Sequence, residues 1–141
     1  MSEEEAPLVD LSKPCRAPVA ADCAGLVLNT VRLVPLDPAT HAKPIYEATH
    51  GVKELEDLIW TYMPYGPFPS LAAFQELLST RLANSSTRFS LAVIERSTRL
   101  PVGFVSIHSI NLEHRTLDID DLVLVPRLHH FGASQEVCYM L

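Results

Sequence analysis

Residues 89–125, FSLAVIERSTRLPVGFVSIHSINLEHRTLDIDDLVLV, decide the architecture. Three runs within them, Phe89 to Glu95, Val102 to Ile110 and Leu117 to Val125, are rich in β-branched and aromatic side chains and are separated by polar breaks. Thr98 to Pro101 turns the first pair and Asn111 to Arg115 the second, connections short enough for antiparallel hairpins. The three runs therefore predict a meander.

Upstream of the meander, Asn84-Ser85-Ser86-Thr87 is a polar break, and before it Leu71, Phe74, Leu77, Leu78 and Leu82 repeat at spacings of three and four. That periodicity predicts a helix with Ser70 as its N-cap. Thr61 to Pro69 holds three prolines and a glycine among Tyr62, Met63, Tyr65 and Phe68, a composition that forbids helix and central strand and predicts an ordered aromatic loop. A short helical piece from Glu54 to Trp60 precedes it. Ala39 to His50 reads as one short or kinked helix, capped by Asp37, interrupted by Pro44 and stopped by Gly51. Val31-Arg32-Leu33-Val34-Pro35-Leu36 reads as the first strand, and the order becomes β-α-α-β-β-β. Past Pro126, Arg127 to Ser134 reads as a turn, and Gln135 to Leu141 begins helically and reads as cut short.

The chain has 141 residues, 48% of them hydrophobic and 20% charged, enough for one domain with a real core. Residues 1–25, with Pro7, Pro14 and Pro18 among small and acidic residues, read as a disordered tail ahead of a domain over 26–141. Seventeen acidic and eleven basic residues leave a net charge of -6, and Glu3, Glu4 and Glu5 carry half of that excess. No Lys/Arg stripe occurs, which argues against nucleic acid and anionic membrane as partners. The acidic start is unlike a signal peptide and no apolar run is long enough for a membrane span, so a cytoplasmic location is expected. Cys15, Cys23 and Cys138 lack CxxC spacing and are expected to be reduced thiols.

Four pieces of the chain, in this order, resemble the GNAT superfamily of acyl-CoA-dependent N-acetyltransferases, and within it the branch that acetylates the N-termini of ribosomal proteins. They are Arg32 to Pro38, Leu58 to Phe68, Pro101-Val102-Gly103-Phe104-Val105-Ser106, and Pro126-Arg127-Leu128 with Ala133-Ser134-Gln135-Glu136. The resemblance implies an α/β (α+β) fold, a mixed, mostly antiparallel sheet flanked by helices, here without its C-terminal strands. It implies acetyl-CoA as cosubstrate, direct attack by a primary amine on the thioester, and no metal.

The same resemblance assigns roles. Asp118 stands in the fourth strand where relatives often carry Glu, and is the candidate base; a solvated strand carboxylate is the other reading. Val123, Leu124 and Val125 would pair their backbone with the pantetheine arm, or are simply core. His129, His130, Phe131, Gly132, Ala133 and Ser134 form the loop expected at the pyrophosphate, where a helix N-terminus offers unpaired N–H groups and small residues allow close approach. Tyr62, Met63, Pro64, Tyr65 and Phe68 would wall the substrate pocket, or serve packing. Two departures point to weak cofactor binding. Asp120, with Asp121 beside it, falls where relatives commonly carry Gly, and His129-His130 replace Gln-Arg.

A zinc site from His129, His130 and Cys138 lacks a fourth ligand and a familiar spacing. His41, His50, His108 and His114 lie on separate elements and read as surface or satisfied core residues. Two functions follow: an N-acetyltransferase domain acting on an unidentified amine, weak or inactive as this chain alone, and a noncatalytic binding module that becomes a homodimer through an open sheet edge.

Overall fold

The computed structural model describes residues 26, 27, 29–80 and 88–140. The expected tail over 1–25, with Cys15 and Cys23, and the polar break at Asn84 to Thr87 lie outside the described residues. The elements are β1 (Leu26–Val27), β2 (Val31–Pro35), α1 (Pro38–Thr49), α2 (Lys53–Trp60), α3 (Leu71–Thr80), β3 (Phe89–Glu95), β4 (Pro101–Asn111), β5 (Thr116–Leu124), a 3-10 helix (Pro126–Phe131) and α4 (Ala133–Met140). The strands form one sheet in the order β1-β2-β3-β4-β5, and each neighbouring pair is antiparallel.

This is the α+β architecture expected, with three corrections. Three helices separate β2 from β3, because Lys53–Trp60 is a helix in its own right, and the two-residue β1 adds a strand. Pro44 sits inside α1 without breaking it. Proline removes one helical hydrogen bond, but Ala42, Ile45 and Thr49 are buried on the packed face, and their burial offsets that cost. The stretch after Pro126 is a 3-10 helix, and α4 starts at Ala133, ahead of the expected start at Gln135.

Asp37 caps α1 by accepting the Ala39 N–H, and the Ser70 hydroxyl accepts the Ala73 N–H at the start of α3. The two sheet faces carry different cores. Val31, Leu33, Leu91, Val93, Val105, Ile107 and Leu124 turn towards Leu128, Ala133 and Val137 of the C-terminal segment. Phe104 and Val123 turn the other way, towards Ala42 and Ile45 of α1, Trp60, and Phe74 and Leu78 of α3. All seven residues of β3 are buried, as a central strand covered on both sides requires.

Gly103 fixes the distance between β4 and β5. A Cβ built on it would lie 2.0 Å from the Val123 carbonyl oxygen, closer than any side chain tolerates. Two carboxylates lock the C-terminal segment to the start of β2 and the end of β3. Glu136 Oε2 accepts the N–H groups of Thr30 and Val31 at 3.0 and 3.3 Å. Glu95, almost wholly buried, accepts both guanidinium arms of Arg127 at 2.5 and 2.9 Å and the Thr98 hydroxyl at 2.8 Å. The Arg127 hydrogen bonds, ahead of every other cause, hold the Glu95 carboxyl below the usual carboxylate range. Among the described residues no helix is long and apolar enough to cross a membrane.

Candidate active site

β5 changes character halfway along. Thr116 to Asp120 are exposed, whereas Val123 and Leu124 are buried. A bulge lies between them: Phe104 faces Val123 but Ser106 faces Asp120, so β5 holds one residue more than β4, and Asp121 takes φ 51° to accommodate it. This is one residue beyond Asp120, where the resemblance expects the strand to spread. A second bulge, at Ser109 with φ 54°, lies on β4 beyond His108.

The register determines which side chains share a face. Phe104, Ser106 and His108 alternate along β4, and across from them stand Val123, Asp120 and Asp118 of β5. Phe104 and Val123 belong to the helix-covered core; Ser106, still buried, continues that face, and His108, Asp118 and Asp120 carry it out to solvent. Ser106 also meets Ser90 of β3, hydroxyl to hydroxyl at 3.2 Å.

Asp118, the candidate base, is exposed and in register with His108. His108 Nε2 lies 2.9 Å from Asp120 Oδ2, while Asp120 Oδ1 accepts the Asp121 N–H at 2.8 Å. Both oxygens of Asp120 are thereby positioned. Reading the histidines as scattered missed this pair. Counting the hairpin register from the Asn111 to Arg115 turn sets His108 near the Asp118–Asp120 stretch, but the bulges that bring it onto Asp120 leave no local signal. The side-chain polar atoms of His108, Asp120 and Asp121 lie within 4.8 Å of one another, a clustering common among exposed acidic groups that hold no ion.

Val123, Leu124 and Val125 close the pairing of β5 with β4. Val125 donates to the Val102 carbonyl, and Leu124 faces Gly103 at the position between bonded pairs. The N–H and C=O of Leu124 therefore point away from β4, to a side where no described strand lies. The side chains of Val123, Leu124 and Val125 are core.

Downstream, Gly132 has φ 70° and its carbonyl accepts the Glu136 N–H, which makes it the N-cap of α4. The N–H groups of Ala133 and Ser134 stand in the first turn of that helix. The Ala133 methyl is fully buried and anchors this turn. His129, His130 and Phe131 belong to the preceding 3-10 helix, and their side chains lie outside the described part.

The aromatic loop divides. Met63, Tyr65 and Phe68 pack against the helix-side core, whereas Tyr62 is 97% exposed. Gly66, at φ 80°, lies under the Trp60 ring, where a Cβ would come within 2.6 Å of Cε3. His50 pins the loop to α1: its Nε2 accepts the Phe68 N–H at 3.0 Å, and its Nδ1 lies 3.2 Å from the Tyr46 carbonyl, which fixes a neutral ring stacked on Tyr46. Burial is the leading cause that pushes the His50 imidazole below its ordinary value, as the Phe68 bond requires. A cleft of about 640 Å³ beside Tyr46, His50 and Phe68 carries Glu47 and Glu56 on its wall and includes no residue of β5.

No family model matches the sequence, and no curated protein matches it. Solved structures do. A GCN5-related N-acetyltransferase from Brucella melitensis superposes over 90% of this chain with a TM-score of 0.77 and 20% identity, and the chain spans 55% of that protein's length. A probable acetyltransferase of the GNAT family from Chromobacterium violaceum ATCC 12472 matches 99% of this chain and 68% of its own, with a TM-score of 0.75 and 23% identity. A candidate ribosomal-protein-serine acetyltransferase from Vibrio cholerae matches 82% of this chain and 62% of its own, with a TM-score of 0.61 and 16% identity. At these identities the likeness is one of architecture, and the fold of this chain is that of the GNAT-family acetyltransferases.

Proposed function

We propose that the chain is an acyl-CoA-dependent N-acetyltransferase domain that transfers acetyl from acetyl-CoA to a primary amine by direct attack. One observation carries this reading. Along a single stretch, β5 presents a polar face, then a bulge, then an outward-facing backbone pair at Leu124, and it leads through Gly132 to a helix N-terminus. A thioester with a pantetheine arm and a pyrophosphate needs those features in that order: edge groups to pair with the amides of the arm, and free N–H groups for the phosphates.

In this reading the backbone at Val123, Leu124 and Val125 aligns the arm, and the loop from His129 to Ser134 meets the phosphates. Met63, Tyr65 and Phe68, with Tyr62 at the rim, wall the amine side. The group Asp118, Asp120 and His108, ahead of the bulge, supplies the proton acceptor. The amine attacks only once deprotonated. The outward-facing Leu124 N–H beyond the bulge would stabilise the oxyanion, the kind of preorganisation that lowers such barriers most.

A second reading, a noncatalytic module that pairs through the β5 edge, draws on the outward-facing Leu124 groups. Calorimetric titration of acetyl-CoA into the chain, with size-exclusion chromatography of the same sample, separates the two. Saturable binding by a monomer is expected. A folded dimer that binds no acetyl-CoA would favour the module.

A further inference from the structure

The polar face of the hairpin holds three groups able to accept a proton, and they are not equivalent. Asp118 is exposed, and among the described residues no side-chain bond holds it in place. Asp120 is held at both oxygens, by the Asp121 N–H and by His108 Nε2. The carboxylate accepts, so Nε2 carries the hydrogen and the lone pair of His108 is on Nδ1, which the Ser109 hydroxyl approaches as a donor at 3.4 Å. An imidazole with one nitrogen anchored on a fixed carboxylate, and the other held only by a long bond from an exposed hydroxyl that a substrate can displace, is oriented for proton abstraction. Imidazoles as a class also titrate nearer neutrality than carboxylates, which suits them better to take a proton from an ammonium group.

We propose that His108, oriented by Asp120, takes the proton from the acceptor amine through Nδ1. This assignment rests on the acetyl-transfer reading above. The ammonium group gives one proton to Nδ1, which releases it to solvent. The freed nitrogen lone pair forms the C–N bond to the thioester carbonyl carbon, and the C–S electron pair leaves with sulfur. The thiolate takes the second proton, shed by nitrogen as the amide forms. Asp120 stays ionised throughout and steadies the imidazolium. The carboxylate that the resemblance treats as a repulsive departure thus acquires a use.

Charged groups face the ring from both neighbouring strands. Asp118, Asp120 and Asp121 face the ring from β5, and the β3–β4 register continued by one residue sets Arg88 on its other side.

The test uses the full chain, with a chelator present so that no bound cation contributes. Acetyl-CoA binding is measured by calorimetry, and thiol release is measured across pH with a panel of simple primary amines. For H108Q, or H108N if the first variant melts early, the expected result is unchanged acetyl-CoA affinity, a fall of about 100-fold in kcat/KM for the amine and loss of its acidic limb. For D120N the limb moves to lower pH, because the imidazolium loses its carboxylate partner. An acidic limb that survives in H108Q, or one that D118N removes instead, overturns the assignment and leaves the acetyltransferase reading standing. Absence of acetyl-CoA binding, or binding without turnover of any amine, overturns that reading and this assignment with it.

Discussion

The two halves of β5 belong to one strand but do different work. Residues 116–120 pair with β4 yet stay exposed, and they place Asp118 and Asp120 beside His108. Val123 and Leu124 are sealed in two cores, one rich in aromatic rings and the other mostly aliphatic. The bulge at Asp121 lets the strand serve both purposes, since one extra residue is absorbed where the environment changes. A strand buried throughout could not expose carboxylates, and one exposed throughout could not hold them in register.

The largest expected effect comes from Gly103→Ala. Its Cβ would meet the Val123 backbone rather than a flexible side chain, so β5 must move. We expect a loss of about 3 kcal/mol or more in urea unfolding, with the buried half of β5 losing amide-exchange protection first. Contrasting truncations sharpen the comparison next. Val123→Ala is expected to cost about 2 kcal/mol through the cavity it leaves in the helix-side core, and Ile119→Ala on the exposed half less than about 0.5 kcal/mol. Equal losses would break it.

Arg127→Met tests the clamp that holds the segment following β5. It strands the buried Glu95 carboxylate with Thr98 as its remaining side-chain donor, at about 1–2 kcal/mol near neutral pH. The native pair adds a signature. Because the Glu95 carboxyl is held below its ordinary value of 4.5, its contribution is present above that pH and is lost as pH falls through the depressed folded value. The Met variant should lose most of that acid dependence.

Histidine protonation gives the smallest effect. His41 and His50 are both lowered from 6.5, chiefly by burial, and each accepts a backbone N–H, from Asp37 and from Phe68 respectively. Their contribution is therefore present above pH 6.5 and is lost as pH falls through the depressed folded values. Urea midpoints measured from pH 7.5 to pH 5 should fall slightly, and less in His50→Gln. No decline would mean that the aromatic loop does not depend on a neutral His50.

Much of this architecture is legible in residue order. The meander follows from three apolar runs and two turns, and the Asp37 and Ser70 caps follow from the residue types that precede helical periods. What local pattern does not carry is pairing at a distance. His108 meets Asp120 because of bulges at Ser109 and Asp121, and a bulge forms where opposing strands demand it rather than where composition announces it. The packing of Ala133 that starts α4 early depends on Val31 and Leu33, about a hundred residues upstream. Pro44 shows the opposite case, a strong local signal overruled by burial around it.

The bond from Glu136 to Thr30 spans 106 positions of sequence. At synthesis rates of about 5 to 20 residues per second, roughly 5 to 20 s separate the emergence of β2 from that of the carboxylate that caps its first amides. During that interval the leading strand has neither α4 over it nor β4 and β5 beyond its partner, so its apolar side chains are a natural target for a chaperone on the ribosome. Docking of α4 is then the step that covers β2, and its rate should set how long that strand stays open to such surveillance.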